Sequence, residues 1–155
     1  MKNNEEQLLT IKFDGACDNN SKLKFMGIGV AVWIDGKRDT DLDFTKMAGS
    51  GTNNIAEWEG LVEALKMAYA YMTTVNPNIR VRIYGDSQLI VYQFNGRYEI
   101  KKEEFLDYYK EAKRLRNALG GRLKRVEWIP RKDNGDADIL SKKAIRDYLV
   151  KNNMI

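Results

Sequence analysis

The hydrophobic period of this chain changes after about fifty residues, and the order of that change limits the folds it can reach. Only strand-type patterning comes first. "LLTIKFDGA" alternates in part and is rich in β-forming residues, so a strand is expected over Leu8–Ala16. "MGIGVAVWIDG" reads as a second strand ending at Asp35-Gly36, a dipeptide that tolerates the positive φ angles of a tight hairpin. "KRDTDLDFTKM" then reads as a third strand pairing back, and "AGSGTNN" as a loop. Helical spacing begins only with "IAEWEGLVEALKMAYAYM", where Trp58, Leu61, Val62, Leu65, Ala68, Tyr69 and Met72 form an apolar stripe. Asn53 or Asn54 is the expected N-cap.

After "NPN" breaks that helix, "IRVRIYG" alternates as a fourth strand. "SQLIVYQF" is a short helix ending near Asn95-Gly96, and "KEEFLDYYKEAKRLRNAL" is another, stopped by Gly120-Gly121. "LKRVEWI" supplies a fifth strand and "ADILSKKAIRDYLV" a last amphipathic helix. Hairpin strands followed by α/β crossovers imply an α/β fold. Its expected form is a five-stranded mixed sheet, three antiparallel strands and then parallel crossovers, flanked by helices. A length of 155 residues suits a single domain over residues 1–155, with its core within 8–150.

Composition removes several kinds of chemistry. There is no histidine, which excludes a His-centred triad, a His-ligated zinc site and a histidine general base. The single cysteine, Cys17, cannot close an internal disulfide, which fits a reducing compartment. No apolar run approaches the ~20 residues that span a membrane. The polar start "MKNNEEQLLT" has no apolar signal core, so a cytoplasmic protein is expected. The formal net charge of +4 permits a polyanionic partner without demanding one.

Four carboxylates sit oddly for a solubility role. Asp14 interrupts the first strand before Gly15, and Asp86 follows directly where the fourth strand ends. Glu57 falls on the apolar stripe of its helix, with Leu61, Ala64 and Ala68 beyond it. Asp138 lies in the first turn of the last helix, near the face of Ser141 and Ile145. Taken singly, each has an ordinary reading: Asp14-Gly15 as a turn, Asp86 and Asp138 as caps, Glu57 as a first-turn acid. Taken together, they are acids from strand ends and helix starts, where open α/β sheets bind ligands. Such a cluster repels itself unless cations bind, and Mg²⁺ is the hard, oxygen-preferring partner. Two such ions can activate a water and stabilise a leaving oxygen in phosphodiester cleavage, chemistry that needs no histidine.

These residues resemble the ribonuclease H type 1 family over Leu8 to Val150. The resemblance rests on four ordered motifs, "FDGACDNN", "TNNIAEWEGLVEAL", "YGDSQLIVYQFNGRY" and "WIPRKDNGDADILS". It implies a ribonuclease H-like fold and endonucleolytic cleavage of the RNA strand of RNA–DNA hybrids. The implied cofactors are two Mg²⁺ ions, with Mn²⁺ as a substitute. The metal-binding and catalytic acids it implies are Asp14, Glu57, Asp86 and Asp138. Asp136 competes for the fourth place, but the family spacing of Asn, two residues, a small residue and Asp selects Asp138 in "NGDADIL". Thr52 and Asn54 resemble the pocket for a DNA-strand phosphate, and Asn53 and Gln88 the minor-groove contacts. Glu57 is also placed to accept from a ribose 2′-OH.

Two departures stand out. Arg131 in "IPRKDN" occupies the loop where many members have a histidine, which resembles the arginine branch of the family. Arginine cannot act as a general base but can steady a phosphate. The basic handle that some members insert after the Asp86 helix is reduced or absent, since "NGRYEIKKEEF" runs straight into the next helix. Phosphate contacts are therefore sought in Lys110, Lys113, Arg114, Arg122, Lys124 and Arg125. Trp33, Trp58 and Trp128 read mainly as core or boundary residues and not as base-stacking platforms, and Cys17 does not read as a nucleophile. The expected partner is an RNA–DNA hybrid, with double-stranded RNA left open and a monomer as the default. The competing readings are a non-catalytic nucleic-acid-binding domain on the same scaffold and another metal-dependent phosphotransferase.

Overall fold

Alternation and helical spacing become one mixed sheet between helices. The structure is a computed structural model that describes residues 6–18 and 22–155. Its strands are β1 (Leu8–Cys17), β2 (Phe25–Ile34), β3 (Lys37–Arg38), β4 (Phe44–Ser50), β5 (Arg80–Gly85) and β6 (Val126–Trp128). Its α-helices are α1 (Asn53–Thr74), α2 (Gln88–Phe94), α3 (Leu106–Leu119) and α4 (Gly135–Lys151). The sheet order is β3-β2-β1-β5-β6, with β4 also paired to β2. β2 runs antiparallel to β1, β3 and β4, while β5 and β6 run parallel to β1 and to each other. Asn19 and Asn20, which end the first family motif, lie outside the described residues.

The Asp35-Gly36 hairpin forms as its residues demand, with φ of 51° and 81°. The third expected strand does not form in one piece, so the sheet has six strands where five are expected. β3 pairs with Trp33 and Ile34, and β4 pairs with Phe25 to Val30 along the same edge of β2. Between them a short 3₁₀ turn, Thr40–Leu42, is started by Asp39, whose carboxylate accepts from Asp41 N at 3.1 Å. Asp43 accepts from Val32 N at 3.2 Å, taking the place of a ladder carbonyl, and is clamped by Arg38. Short acid side chains that bond the backbone locally compete with a strand ladder, which is why "RDTDLD" turns. β4 then runs through Ser50, into the segment expected to be loop.

Two further expectations change. Asp14-Gly15 is not a turn and does not interrupt the strand: Asp14 pairs with Gly29 and Gly15 with Ile28 in an unbroken ladder. The α1 N-cap is Thr52, not Asn53 or Asn54; its hydroxyl accepts from Ile55 N at 3.2 Å, a contact worth ~1 kcal/mol.

Close approach of helices to the sheet sets the site. A Cβ on Gly15 would lie 2.1 Å from the Ala56 backbone, so α1 packs directly on β1. On the other face, a Cβ on Gly29 would lie 2.3 Å from Ala137 O, and α4 packs there. With both faces covered, β2 is buried from Phe25 to Val32. The core joins Leu9, Ile11 and Phe13 of β1 to Trp58, Leu61 and Leu65 of α1, and Trp58 meets Phe105 and Tyr109 before and within α3. Among the described residues no helix is long and apolar enough to cross a membrane.

Candidate active site

The parallel pairing of β1 and β5 decides where two of the acids meet. Phe13 pairs with Gly85, so Asp14 and Asp86 each stand one residue past a matched pair. The third acid comes from α1. Because Gly15 lets the helix approach, Glu57 Oε1 accepts from Gly15 N at 2.8 Å and is pulled to the same point. Asp14, Glu57 and Asp86 each offer a carboxylate oxygen, and these lie within 4.8 Å of one another. They line a cleft of about 410 Å³ together with Asn53, Asn54, Arg131 and Asp138.

Burial and mutual repulsion perturb this cluster. Asp14 is only 5% exposed, and its carboxyl is pushed up to about 7, first by burial and then by the charges of Asp86 and Asp138. Glu57 is held well above the usual carboxylate range by burial, and then by Asp14 and Asp86. Asp86 Oδ1 is buried with no hydrogen-bond partner among the described residues. Hard oxygens from three elements, one of them unpartnered, fit a divalent cation of the Mg²⁺ or Ca²⁺ type.

Asp138 stands at the rim, outside the tight three-acid group. Its Oδ2 accepts from Lys142 Nζ at 3.1 Å. Asp136, the competing acid, does not line the cleft; it faces Arg38 Nε at 3.8 Å. Asn53 Oδ1 accepts from Cys17 N at 3.0 Å, which ties the start of α1 to the end of β1. Thr52 is occupied as the cap and Gln88 is exposed in the first turn of α2; neither lines the cleft. Arg131 lines it from an exposed position. The Cys17 thiol is raised, first by burial, which disfavours a nucleophilic thiolate.

Sequence reasoning missed three residues that hold the acids in place. Asn134 is fully buried, and its amide donates to Asp86 Oδ2 at 3.1 Å and to Phe13 O at 2.9 Å. It is the N-cap residue of α4, yet its side chain makes no cap bond to that helix. Ser141, also fully buried, donates to Asp138 O at 2.8 Å and reaches Asp14 Oδ2 at 3.3 Å. Trp128 donates its indole N–H to Asp86 O at 3.1 Å. The only sequence signal was the place of Asn134 in the family spacing.

The model of a family described as reverse transcriptase-like matches residues 12–144, which takes in every one of these acids. The chain belongs to the reverse transcriptase-like family. Its fold within that family is ribonuclease H-like. The N-terminal RNase H domain of Rv2228c from Mycobacterium tuberculosis superposes with a TM-score of 0.77 at 28% identity, covering 94% of this chain and 98% of that one. LC11-RNase H1, solved in complex with an RNA/DNA hybrid, superposes with a TM-score of 0.78 at 28% identity, covering 91% and 99%. In sequence, the bifunctional protein Rv2228c is 31% identical over 121 residues, 77% of this chain. The protein YpeP of Bacillus subtilis is 32% identical over 148 residues, 92% of this chain. The chain spans 31% of the length of Rv2228c and 61% of YpeP.

Proposed function

We propose that this chain is an endoribonuclease that hydrolyses the RNA strand of RNA–DNA hybrids with two Mg²⁺ ions, as one domain over residues 1–155. The observation that carries this reading is the convergence of Asp14, Glu57 and Asp86 within 4.8 Å at the floor of an open cleft, with Asp138 at its rim. When bound there, divalent ions supply activation of water and neutralisation of charge on the leaving oxygen. Asp14, Glu57, Asp86 and Asp138 are the residues that would hold them. Asn134 and Ser141 keep the carboxylates of Asp86 and Asp14 aimed into the cleft, as partners of ligating acids commonly do.

The remaining assignments follow the walls. Asn54 lies beside the acids, and the Asn53 amide nitrogen remains able to donate to a base edge while its oxygen is held by Cys17 N. Thr52 and Gln88 flank the cleft at the first turns of α1 and α2 and would meet the DNA strand farther out. Glu57, bonded to the backbone through Oε1, keeps a second oxygen for a ribose 2′-OH, the group that marks RNA. Arg131, exposed on the cleft wall, would steady a phosphate, the role this reading gives it in the arginine branch of the family. A monomer acting in the reducing cytoplasm is the setting this reading implies, with Mn²⁺ able to replace Mg²⁺.

The test incubates purified protein with end-labelled RNA–DNA hybrid, with and without Mg²⁺, beside double-stranded RNA, single-stranded RNA and double-stranded DNA. Metal-dependent internal cutting of the hybrid's RNA strand, absent in Asp86→Asn, is the expected result. Hybrid bound but never cut under Mg²⁺ or Mn²⁺ would overturn the reading and leave a binding module. The double-stranded RNA lane reports whether the substrate range is wider.

A further inference from the structure

Positive charge in this molecule is not spread evenly. Two recesses of about 500 and 560 Å³ share Lys124, Arg125 and Glu127 and so adjoin at the β6 edge, together making a basic groove of two halves. Arg80, Arg82 and Arg122 line its far half, and Arg97, Lys113 and Arg116 its near half. The near half ends at Trp128, whose indole N–H is bonded to Asp86 O, so the groove opens beside the acid cleft. Among the described residues, Glu127 is the only carboxylate in the lining. The lining therefore carries an excess of seven positive charges, more than the +4 of the whole chain.

Several of these cations already have structural work. Arg122 donates to Pro77 O and Leu119 O, Arg116 to Lys124 O, and Arg80 pairs with Glu6. Lys113, Lys124 and Arg82 have no carboxylate within ion-pair reach among the described residues. Arg125 has only Glu127, at 3.6 Å on the surface. Of the other basic residues singled out in the sequence, Arg114 is occupied by Glu111, and Lys110 lines neither recess.

We propose that this groove binds a single nucleic-acid strand that continues out of a duplex held at the acid cleft. The proposal rests on the nuclease reading and extends it beyond the reacting phosphate. A row of cations follows a phosphate backbone by neutralising successive charges. One aromatic favours a single strand over a second duplex. Trp128 is 37% exposed and anchored at one edge, while the Tyr92 ring is already covered by Arg97 and Tyr98. Open bases stack on an exposed ring such as Trp128, whereas bases inside a duplex have no free face to offer. The chain thereby supplies, on its sheet edge, a grip to which the short loop after α2 contributes Arg97.

The test compares a blunt RNA–DNA hybrid with the same hybrid carrying a single-stranded tail of DNA or RNA at either end. Binding is measured over a range of salt for the unaltered protein and for Lys113→Gln/Lys124→Gln/Arg125→Gln, three exposed positions outside the cleft. A tail at one end should tighten binding roughly tenfold, and the variant should lose that gain. The log–log salt slope for the tailed hybrid should fall by about two in the variant, at ~0.7 per phosphate contact on a single strand. Binding of the blunt hybrid should fall less in the variant than binding of the tailed one. Equal binding of blunt and tailed hybrids, or a tail effect that survives the triple change, would overturn the groove. A groove that serves an acidic protein segment instead would give that same null result. Tail-dependent binding without cutting of any hybrid would leave the groove standing and sink the nuclease reading; cutting with no tail effect would do the reverse.

Discussion

The acid cleft and the basic groove lie side by side, joined through Trp128, and they treat charge in opposite ways. In the cleft, Asp14 and Glu57 are buried, held by backbone N–H groups and hydroxyls, and pushed up in pKa. In the groove, Lys113, Lys124 and Arg125 are exposed on long stems with almost nothing fixing them. Buried like charges are costly, so they persist only where the fold forces them together and a cation can repay the repulsion. Exposed cations cost little and can follow a flexible partner. Position is fixed in the cleft and left loose in the groove.

The sharpest test of that contrast is Asp86→Asn. It removes a negative ligand while keeping shape and the Asn134 contact. Activity should fall by at least roughly 10²–10³-fold, the usual cost of losing a preorganised charge, with the fold unchanged by circular dichroism. Full activity in that variant would mean the cleft is not the reacting centre.

Asn134→Ala comes next. It frees Asp86 and removes the bond from Asn134 to Phe13 O in the interior. A 10–100-fold loss in metal affinity or activity is expected, read by calorimetric titration of Mg²⁺ beside rate measurements. Unchanged affinity would show that the acids need no outer support.

The metal-free protein should also respond to pH through the cleft and not the groove. The Asp14 carboxyl is raised from its ordinary 3.8 to about 7 in the folded state. The stability it contributes is therefore complete below pH ~4 and is lost as pH rises through about 7. Glu57 is shifted in the same direction and adds to the loss. Thermal melts without metal should fall across that window, and Mg²⁺ should restore the upper end. Asp14→Asn should flatten the profile, and a profile that rises instead would contradict the burial of unpaired charge. The smallest effect belongs to the groove: the triple glutamine variant should change stability by no more than about 0.5 kcal/mol, because its three side chains are exposed.

Much of the fold was legible because local physics dictates it. Asp35-Gly36 had to turn, and the stripe from Trp58 to Ala68 had to bury, as it does. The third expected strand divides because "KRDTDLDFTKM" carries short acids that compete with the ladder. Asp39 and Asp43 bond neighbouring backbone and break the run into β3 and β4. The α1 cap moved to Thr52 for a related reason: several residues in a row can cap, and only the path of the chain chooses one.

For the site, the sequence determined which acids were out of place, because a carboxylate at a strand end or on an apolar stripe conflicts with its local pattern. It could not bring Asp14 to Asp86, since strand order and the Phe13–Gly85 register are long-range choices made by packing. Nor could it show that Asn134 holds Asp86, or that cations from β5, α3 and the turn before β6 form one groove. Hydrogen bonds and shared walls between residues far apart in sequence leave no periodic trace. Periodicity and turn chemistry act over a few residues and were written in the chain; distance across the sheet was decided only when the helices closed onto its glycines.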